Sequence, residues 1–229
     1  MTSADGGCAH GISLPQTMHH HVRDAIVRVV LATLPSSRVY AEASGRGGHR
    51  TINEYMRTVG AGIGHRPDFV IVDWDSSPAG QHCYTVFDIK TVDPAGASHI
   101  TADHTDTRRS ASHLAAARRA AADYAPLPPR TRLVTLSISP YGSFGPGFHS
   151  FISELSRRTG GAVPASLYEE STWATPRLGP FARMACSVAA RRGLAESLRR
   201  WWGPASAVAP GGAGGAGGAG AGDASDAGA

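Results

Sequence analysis

The pattern of apolar and polar positions in residues 66–93 predicts a β-hairpin. Two apolar runs rich in β-branched residues, Phe69–Val72 and Tyr84–Ile89, flank a turn segment that contains Ser, Pro and Gly. This arrangement is typical of two adjacent antiparallel strands. We expect the turn to be centred on Pro78, which fixes the residues that face each other across the hairpin.

Three charged residues fall at one end of this hairpin. With the turn centred on Pro78, Asp68 lies opposite Asp88, and such cross-strand partners have Cβ atoms about 4.5–5.5 Å apart. Lys90 follows Asp88 by two residues, so its side chain is expected on the same face of the sheet. Carboxylates held this close raise each other's pKa unless a cation lies between them, and hard oxygen ligands suit Mg²⁺. The pattern therefore favours a divalent-metal site of the kind that a metal-dependent nuclease uses.

Four segments have the pattern of helices. Apolar residues recur at helical spacing over 16–34, and a proline follows directly. Residues 101–124 begin with Ser, Thr and Asp and continue into an Ala-rich stretch of high helix propensity. A proline suits the first turn of a helix over 146–158, and a final amphipathic helix is predicted over 181–202.

Two further strands and one glycine-rich segment complete the predicted core. Residues 38–43 have the pattern of a short strand with Tyr40 and Glu42 on one face, and residues 131–139 alternate β-branched and polar side chains. Residues 44–64 hold six glycines and one candidate helical turn, so we expect a mobile flap. The order of elements predicts an α/β fold whose mixed sheet contains an antiparallel three-stranded meander, with helices against both faces.

Composition indicates one domain followed by a low-complexity segment. We expect a flexible lead-in over 1–15, one domain over 16–202 and a disordered Gly/Ala-rich tail over 203–229. No apolar run approaches the roughly 20 residues needed to cross a bilayer, and no secretory signal is visible. The three cysteines are scattered, so we expect reduced thiols in an intracellular protein with no membrane partner. The formal charge of +4 permits a polyanionic partner.

Three other features leave more than one interpretation open. His19–His21 point in different directions around the first helical turn, so a solvated helix start is favoured over a zinc site. Arg108, Arg118 and Arg119 form either a solvated basic face or a stripe that contacts phosphates. The pair Trp201-Trp202 either covers an edge of the core or offers a stacking surface for bases.

The order of elements and the acidic residues together resemble the PD-(D/E)XK nuclease superfamily, which has the restriction-endonuclease-like fold. The residues that carry the resemblance are Asp68 after Pro67 and the sequence Asp88-Ile89-Lys90 on the next strand. Residues 17–158 are most similar to the endonuclease-like domains encoded in eukaryotic mobile elements, particularly retrotransposons. The matching stretches are HHHVRDAIV, VYAEA, RPDFVIV, FDIKTVDP, the Ala/Arg helix ending in Tyr124, LVTLSIS and GSFGPGFHSFISEL.

This resemblance implies a Mg²⁺-dependent DNA endonuclease that hydrolyses phosphodiester bonds. Asp68, Asp88 and the main-chain carbonyl of Ile89 would hold Mg²⁺ or Mn²⁺, and Glu42 would complete the metal site or bind a second ion. Lys90 would position or help to deprotonate the attacking water. Considered without the resemblance, Asp68 could simply cap the hairpin, and Lys90 could be a strand-end charge paired with Asp88.

The resemblance also implies how DNA would be bound. Arg108, Arg118, Arg119 and Tyr124 would line a DNA groove, although Tyr124 could equally pack in the core. A homodimer and a nuclear location are compatible with the same family. Two alternatives remain: a catalytically inactive module of this fold that binds nucleic acid, and a protein-interaction domain whose basic surface is incidental.

Overall fold

The computed structural model describes residues 14–42, 49–59, 61–75, 81–92, 105–169 and 175–202. Residues 1–13 of the predicted lead-in, the centre of the predicted hairpin turn, most of the glycine-rich part of the predicted flap and the predicted tail lie outside these ranges. Residues 14 and 15, which were predicted as lead-in, belong to the first helix. The helices and strands are, in chain order, α1 (Leu14–Thr33), β1 (Val39–Ala41), β2 (Arg50–Thr51), α2 (Ile52–Thr58), β3 (Phe69–Val72), β4 (Tyr84–Thr91), α3 (Thr105–Asp123), β5 (Thr131–Ile138), α4 (Pro146–Arg158) and α5 (Leu178–Trp202).

The five strands form one mixed sheet in the order β2-β1-β3-β4-β5. β3 pairs antiparallel with β1 and with β4, whereas β2 pairs parallel with β1 and β5 pairs parallel with β4. The prediction of an α/β fold with a mixed sheet is confirmed. The edge strand β2 was not predicted, and it lies between β1 and β3 along the chain. The three antiparallel strands are therefore not successive in sequence.

The register of the sheet aligns three acidic residues. Phe69 faces Phe87 across β3 and β4, and Ala41 faces Phe69 across β1 and β3. Continuing this register by one residue places Glu42 beside Asp68 and Asp68 beside Asp88, as the hairpin pattern predicts for the two aspartates. All three lie where β1 and β4 approach their carboxyl ends and β3 begins. We call this edge the site end of the sheet.

Helices pack on both faces of the sheet and bury its apolar side chains. Alternate residues of β3 and β4, such as Phe69 and Phe87, pack with α1, α4 and α5, and these two rings stack with centroids 4.6 Å apart. On the opposite face Val70 and Val86 pack with Tyr55 of α2 and with Tyr124, which follows α3. The prediction of helices against both faces is confirmed. None of the described helices combines the length and apolarity that crossing a membrane requires.

Helices α1 and α5 pack in opposite directions along one face. Leu31 near the end of α1 lines the same groove as Phe181 near the start of α5. At the other end, a Cβ added to Gly193 would lie 2.5 Å from Met18 Cα, so α5 approaches the backbone of α1 where only hydrogen fits. The C-terminal half of α5 therefore lies beside the start of α1.

Replacing Gly193 with alanine tests this close approach. We expect Gly193→Ala to lower the free energy of unfolding by about 1–3 kcal/mol, because the added methyl group overpacks against main-chain atoms. Urea denaturation followed by circular dichroism measures the change. The matched control is Gly179→Ala in the same helix, where the new Cβ would meet a flexible Arg183 side chain at 3.5 Å. This control should be neutral or stabilising by about 0.5–1 kcal/mol, and equal effects of both changes would contradict the packing.

Candidate active site

Asp88 of β4 is a buried carboxylate with two polar neighbours. It is 5% exposed, and its Oδ1 accepts a hydrogen bond from the Tyr124 hydroxyl at 3.2 Å. Its Oδ2 lies 3.0 Å from Lys90 Nζ, although the angles do not make this contact a well-formed hydrogen bond. Burial raises the pKa of Asp88 above its ordinary value, the Lys90 charge opposes this shift, and the charge of Asp68 adds to it.

Asp68 uses both carboxylate oxygens. Oδ2 accepts a hydrogen bond from the main-chain N–H of Ile89 at 2.7 Å, and Oδ1 lies 2.8 Å from Nε2 of His19 on α1. The carboxylate therefore ties the start of β3 to β4, which agrees with the simpler interpretation of Asp68 as a hairpin cap. Its contact with His19 also holds the start of α1 at the site end of the sheet.

His19 is a site residue that the sequence pattern did not identify. Its side chain is 25% exposed and faces Asp68, so the prediction of a solvated helix start is wrong for this histidine. Burial by itself lowers the pKa of His19, but the hydrogen bond to Asp68 and the charge of Asp68 outweigh burial and raise it. His21, two residues further on, lies 2.8 Å from Glu196 of α5 instead.

Lys90 is the only lysine of the chain. Its ammonium group lies between two carboxylates, 3.0 Å from Asp88 Oδ2 and 4.0 Å from Asp123 Oδ2. The side chain is 30% exposed, so one side of the ammonium group faces solvent while the other faces the buried Asp88. This position fits both a strand-end ion pair and a group that acts on a bound substrate.

Tyr124 contacts the buried acid on the face of the sheet that also carries Val86. It is 1% exposed, and the single hydrogen of its hydroxyl is shared between the main-chain carbonyl of Arg66 at 3.0 Å and Asp88 Oδ1 at 3.2 Å. Burial and the neighbouring carboxylates raise its pKa well above the usual range, so the hydroxyl stays protonated. A side chain this buried offers no surface to nucleic acid. The prediction that Tyr124 lines a DNA groove is therefore corrected: the structure shows the alternative, packing in the core, with the hydroxyl bonded to Asp88.

Glu42 lies beside Asp68 in the sheet register, but its carboxylate contacts different residues. Its two carboxylate oxygens lie 2.7 Å from Arg23 Nη1 and 2.7 Å from Arg66 Nε. The structure therefore places the predicted third acid in a separate ion-pair cluster, at the rim of a cavity of about 250 Å³. Within the described ranges, no group of three or more His, Cys, Asp or Glu side chains is arranged as a metal site.

The predicted basic stripe lies on α3. Arg118 and Arg119 are exposed, six and five residues before the buried Tyr124. Arg108 belongs to the same helix, but its side chain lies outside the described part of the structure. Both interpretations of the stripe, a solvated face and a phosphate contact, fit the exposure of Arg118 and Arg119.

Comparison with known proteins adds no relative. No protein-family model, no curated protein and no solved structure matches the chain. The candidate site itself consists of two adjacent aspartates, the single lysine, a buried tyrosine and a histidine.

The pH dependence of stability tests the burial of Asp88. Because its pKa is raised on folding, its contribution to stability is fully present below the unfolded-state pKa and is lost as the pH rises through the folded-state pKa. Asparagine does not ionise. We therefore expect the free energy of unfolding of Asp88→Asn, relative to wild type, to increase as the pH rises from about 3 to about 7.

Urea denaturation in the presence of EDTA measures this difference at each pH. The control is Asp75→Asn, since the Asp75 side chain is 44% exposed at the other end of the hairpin. This control should change stability by no more than about 0.5 kcal/mol. A relative stability of Asp88→Asn that falls with rising pH would contradict the burial argument.

The His19–Asp68 contact predicts a second pH dependence. Since the pKa of His19 is raised, its contribution is fully present below the ordinary histidine pKa and is lost as the pH rises through the folded-state value. Wild type should therefore lose stability between about pH 6 and about pH 9 relative to His19→Gln. The matched control is His82→Gln, which removes a histidine whose side chain is 71% exposed. Parallel pH profiles of wild type and His19→Gln would contradict the contact.

Proposed function

We propose that the chain is a Mg²⁺-dependent DNA endonuclease with a restriction-endonuclease-like core. The observation that carries this proposal is the contact between Lys90 and the buried Asp88. All other basic residues among the 22 Lys and Arg are arginines, and only this position beside a buried carboxylate has an ammonium group. A lysine can hold, donate or accept a proton, whereas the guanidinium group of arginine stays protonated. The residue type therefore fits proton chemistry better than simple charge pairing.

The donor set fits a hard divalent cation. Asp88 Oδ2 is buried, and its contact with Lys90 Nζ at 3.0 Å is not an aligned hydrogen bond, so a cation bound there would share this oxygen with Lys90. Asp68 lies next to Asp88 in the sheet register. The main-chain carbonyl of Ile89 lies between Asp88 and Lys90 on β4. Mg²⁺ prefers such oxygen ligands and usually keeps several waters. When bound by Asp68, Asp88 and the Ile89 carbonyl, it would supply a Lewis acid for the phosphodiester and a water of lowered pKa.

The chain's own residues then have distinct roles. Lys90 holds the attacking water or accepts its proton, and its charge offsets the negative charge that develops on the phosphorane. Tyr124 fixes the orientation of Asp88, and His19 fixes that of Asp68. Phosphate contacts position the strand without reading its sequence, a role that the exposed Arg118 and Arg119 fit.

The decisive experiment is cleavage of supercoiled plasmid DNA with Mg²⁺ or Mn²⁺. Asp88→Asn and Lys90→Ala should lower the cleavage rate by about 100-fold or more, as expected for loss of a group that acts directly in the reaction. Lys90→Arg is the sharper variant because it keeps the positive charge, and we expect it to be as impaired as Lys90→Ala. Asp75→Asn, an exposed acid at the far end of the hairpin, serves as the control and should cut like wild type.

A wild-type rate no higher than that of Asp88→Asn with either metal would overturn the proposal. Full activity of Lys90→Arg would refute the proton-transfer role of Lys90, because arginine supplies only the charge. Cleavage that fails while duplex DNA is still retained in a salt-dependent way would identify the catalytically inactive, nucleic-acid-binding alternative instead.

A further inference from the structure

The C-terminal half of α5 carries a cluster of exposed arginines. Arg191, Arg192, Arg199 and Arg200 are all exposed, and Glu196 is the only acidic residue of the helix. A basic helix surface is often only solvated. Its position in the fold therefore decides whether it has a further role.

The packing of α5 places this cluster at the site end of the sheet. Gly193 lies against Met18, and Glu196 binds His21 at 2.8 Å, so residues 191–200 run beside the first two turns of α1. The same turns of α1 hold His19, whose ring contacts Asp68. The arginine cluster and the candidate active site therefore lie on either side of the start of one helix.

A basic groove runs along α5 in this region, bordered on the α1 side by His21, and we call it the α1–α5 groove. It has a volume of about 480 Å³ and is lined by His21, Arg192, Ala195, Glu196, Arg199 and Arg200. Glu196 is already bound by His21 and Arg200. Among the described residues, no acidic partner contacts Arg192 or Arg199, so their charges remain available to an anion. The close contact at Gly193 fixes the spacing of the two walls.

We propose that the α1–α5 groove binds the phosphate backbone of the DNA substrate next to the candidate active site. The inference rests on the proposed function and names a contact surface for it. Charge complementarity selects the partner, because a concave surface with three guanidinium groups and one carboxylate suits successive phosphates. Arg192 and Arg199 are the principal contacts. They are seven residues apart on one face of α5, a separation of about 10 Å along the helix axis.

The test compares two double variants that remove the same charge at opposite ends of the molecule. Arg192→Gln with Arg199→Gln removes the groove contacts. The control combines Arg157→Gln with Arg177→Gln, which are exposed near the end of α4 and just before α5. The neighbouring Arg158 binds the main-chain carbonyl of Trp74, beyond the end of β3, so this region lies opposite the site end.

Binding is measured by fluorescence anisotropy of a fluorescein-labelled DNA duplex in EDTA, so that it does not depend on cleavage. The salt dependence of the binding constant reports the number of phosphate contacts, with a slope of about 0.9 for each contact on B-form DNA. The groove variant should reduce this slope by about 1.8, corresponding to two lost contacts. The control variant should keep the wild-type slope, and thermal melting should show that both variants are folded.

Equal slopes for the two double variants, or a larger loss in the control, would overturn the inference. Failure of wild type to bind the duplex in a salt-dependent manner would overturn it as well. Plasmid cleavage measured in parallel separates it from the proposed function. A reduced salt-dependence slope in the groove variant, with no cleavage by wild type, would support DNA binding by the groove and refute the proposed endonuclease. Cleavage by wild type with an unchanged slope in the groove variant would refute the groove alone.

Discussion

The contact of greatest consequence is the one between a buried carboxylate and a lysine at the end of β4. Burial makes the charge of Asp88 unfavourable, and the neighbouring Asp68 adds repulsion. Lys90 on the same strand and the hydroxyl of Tyr124, which follows α3, reduce the cost of charging Asp88. A buried carboxylate with a raised pKa beside a partly exposed amine lowers the stability of the fold. The same pair is typical of groups that act in a reaction.

The sheet register makes this arrangement possible. Asp68 and Asp88 are 20 positions apart along the chain, and adjacent pairing of β3 and β4 brings them together. Tyr124 and His19 then approach from opposite faces, one from the end of α3 and the other from the start of α1. Each contributes a single hydrogen bond to one of the two aspartates. The site thus depends on packing against both faces of the sheet.

Local patterns in the sequence predicted most elements. The helix over residues 146–158 was predicted with the bounds that the structure shows, and Pro146 lies in its first turn as expected. The hairpin register followed from centring the turn on Pro78, and the pairing of Phe69 with Phe87 agrees with it. β2 was missed because its two polar residues, Arg50 and Thr51, carry no alternation that a pattern can detect.

Contacts between distant side chains could not be predicted in the same way. His19 and Asp68 are separated by 49 positions, and nothing in a run of three histidines indicates which one faces the sheet. Glu42 was placed on the correct row and face, but its binding by Arg23 and Arg66 depends on how α1 and the segment before β3 pack around it. Tyr124 was placed in a DNA groove by the family resemblance, with core packing as the alternative, and its contacts with the Arg66 carbonyl and Asp88 show core packing.

Because Lys90 is the only lysine among the 229 residues, the candidate site can be labelled selectively at this side chain. Reagents selective for lysine ammonium groups will modify one side chain, and that side chain lies 3.0 Å from Asp88. Reductive methylation with isotopically labelled formaldehyde would therefore yield one lysine resonance. Its chemical shift would follow the ionisation of the neighbouring carboxylate and the arrival of a cation, without any substitution in the protein.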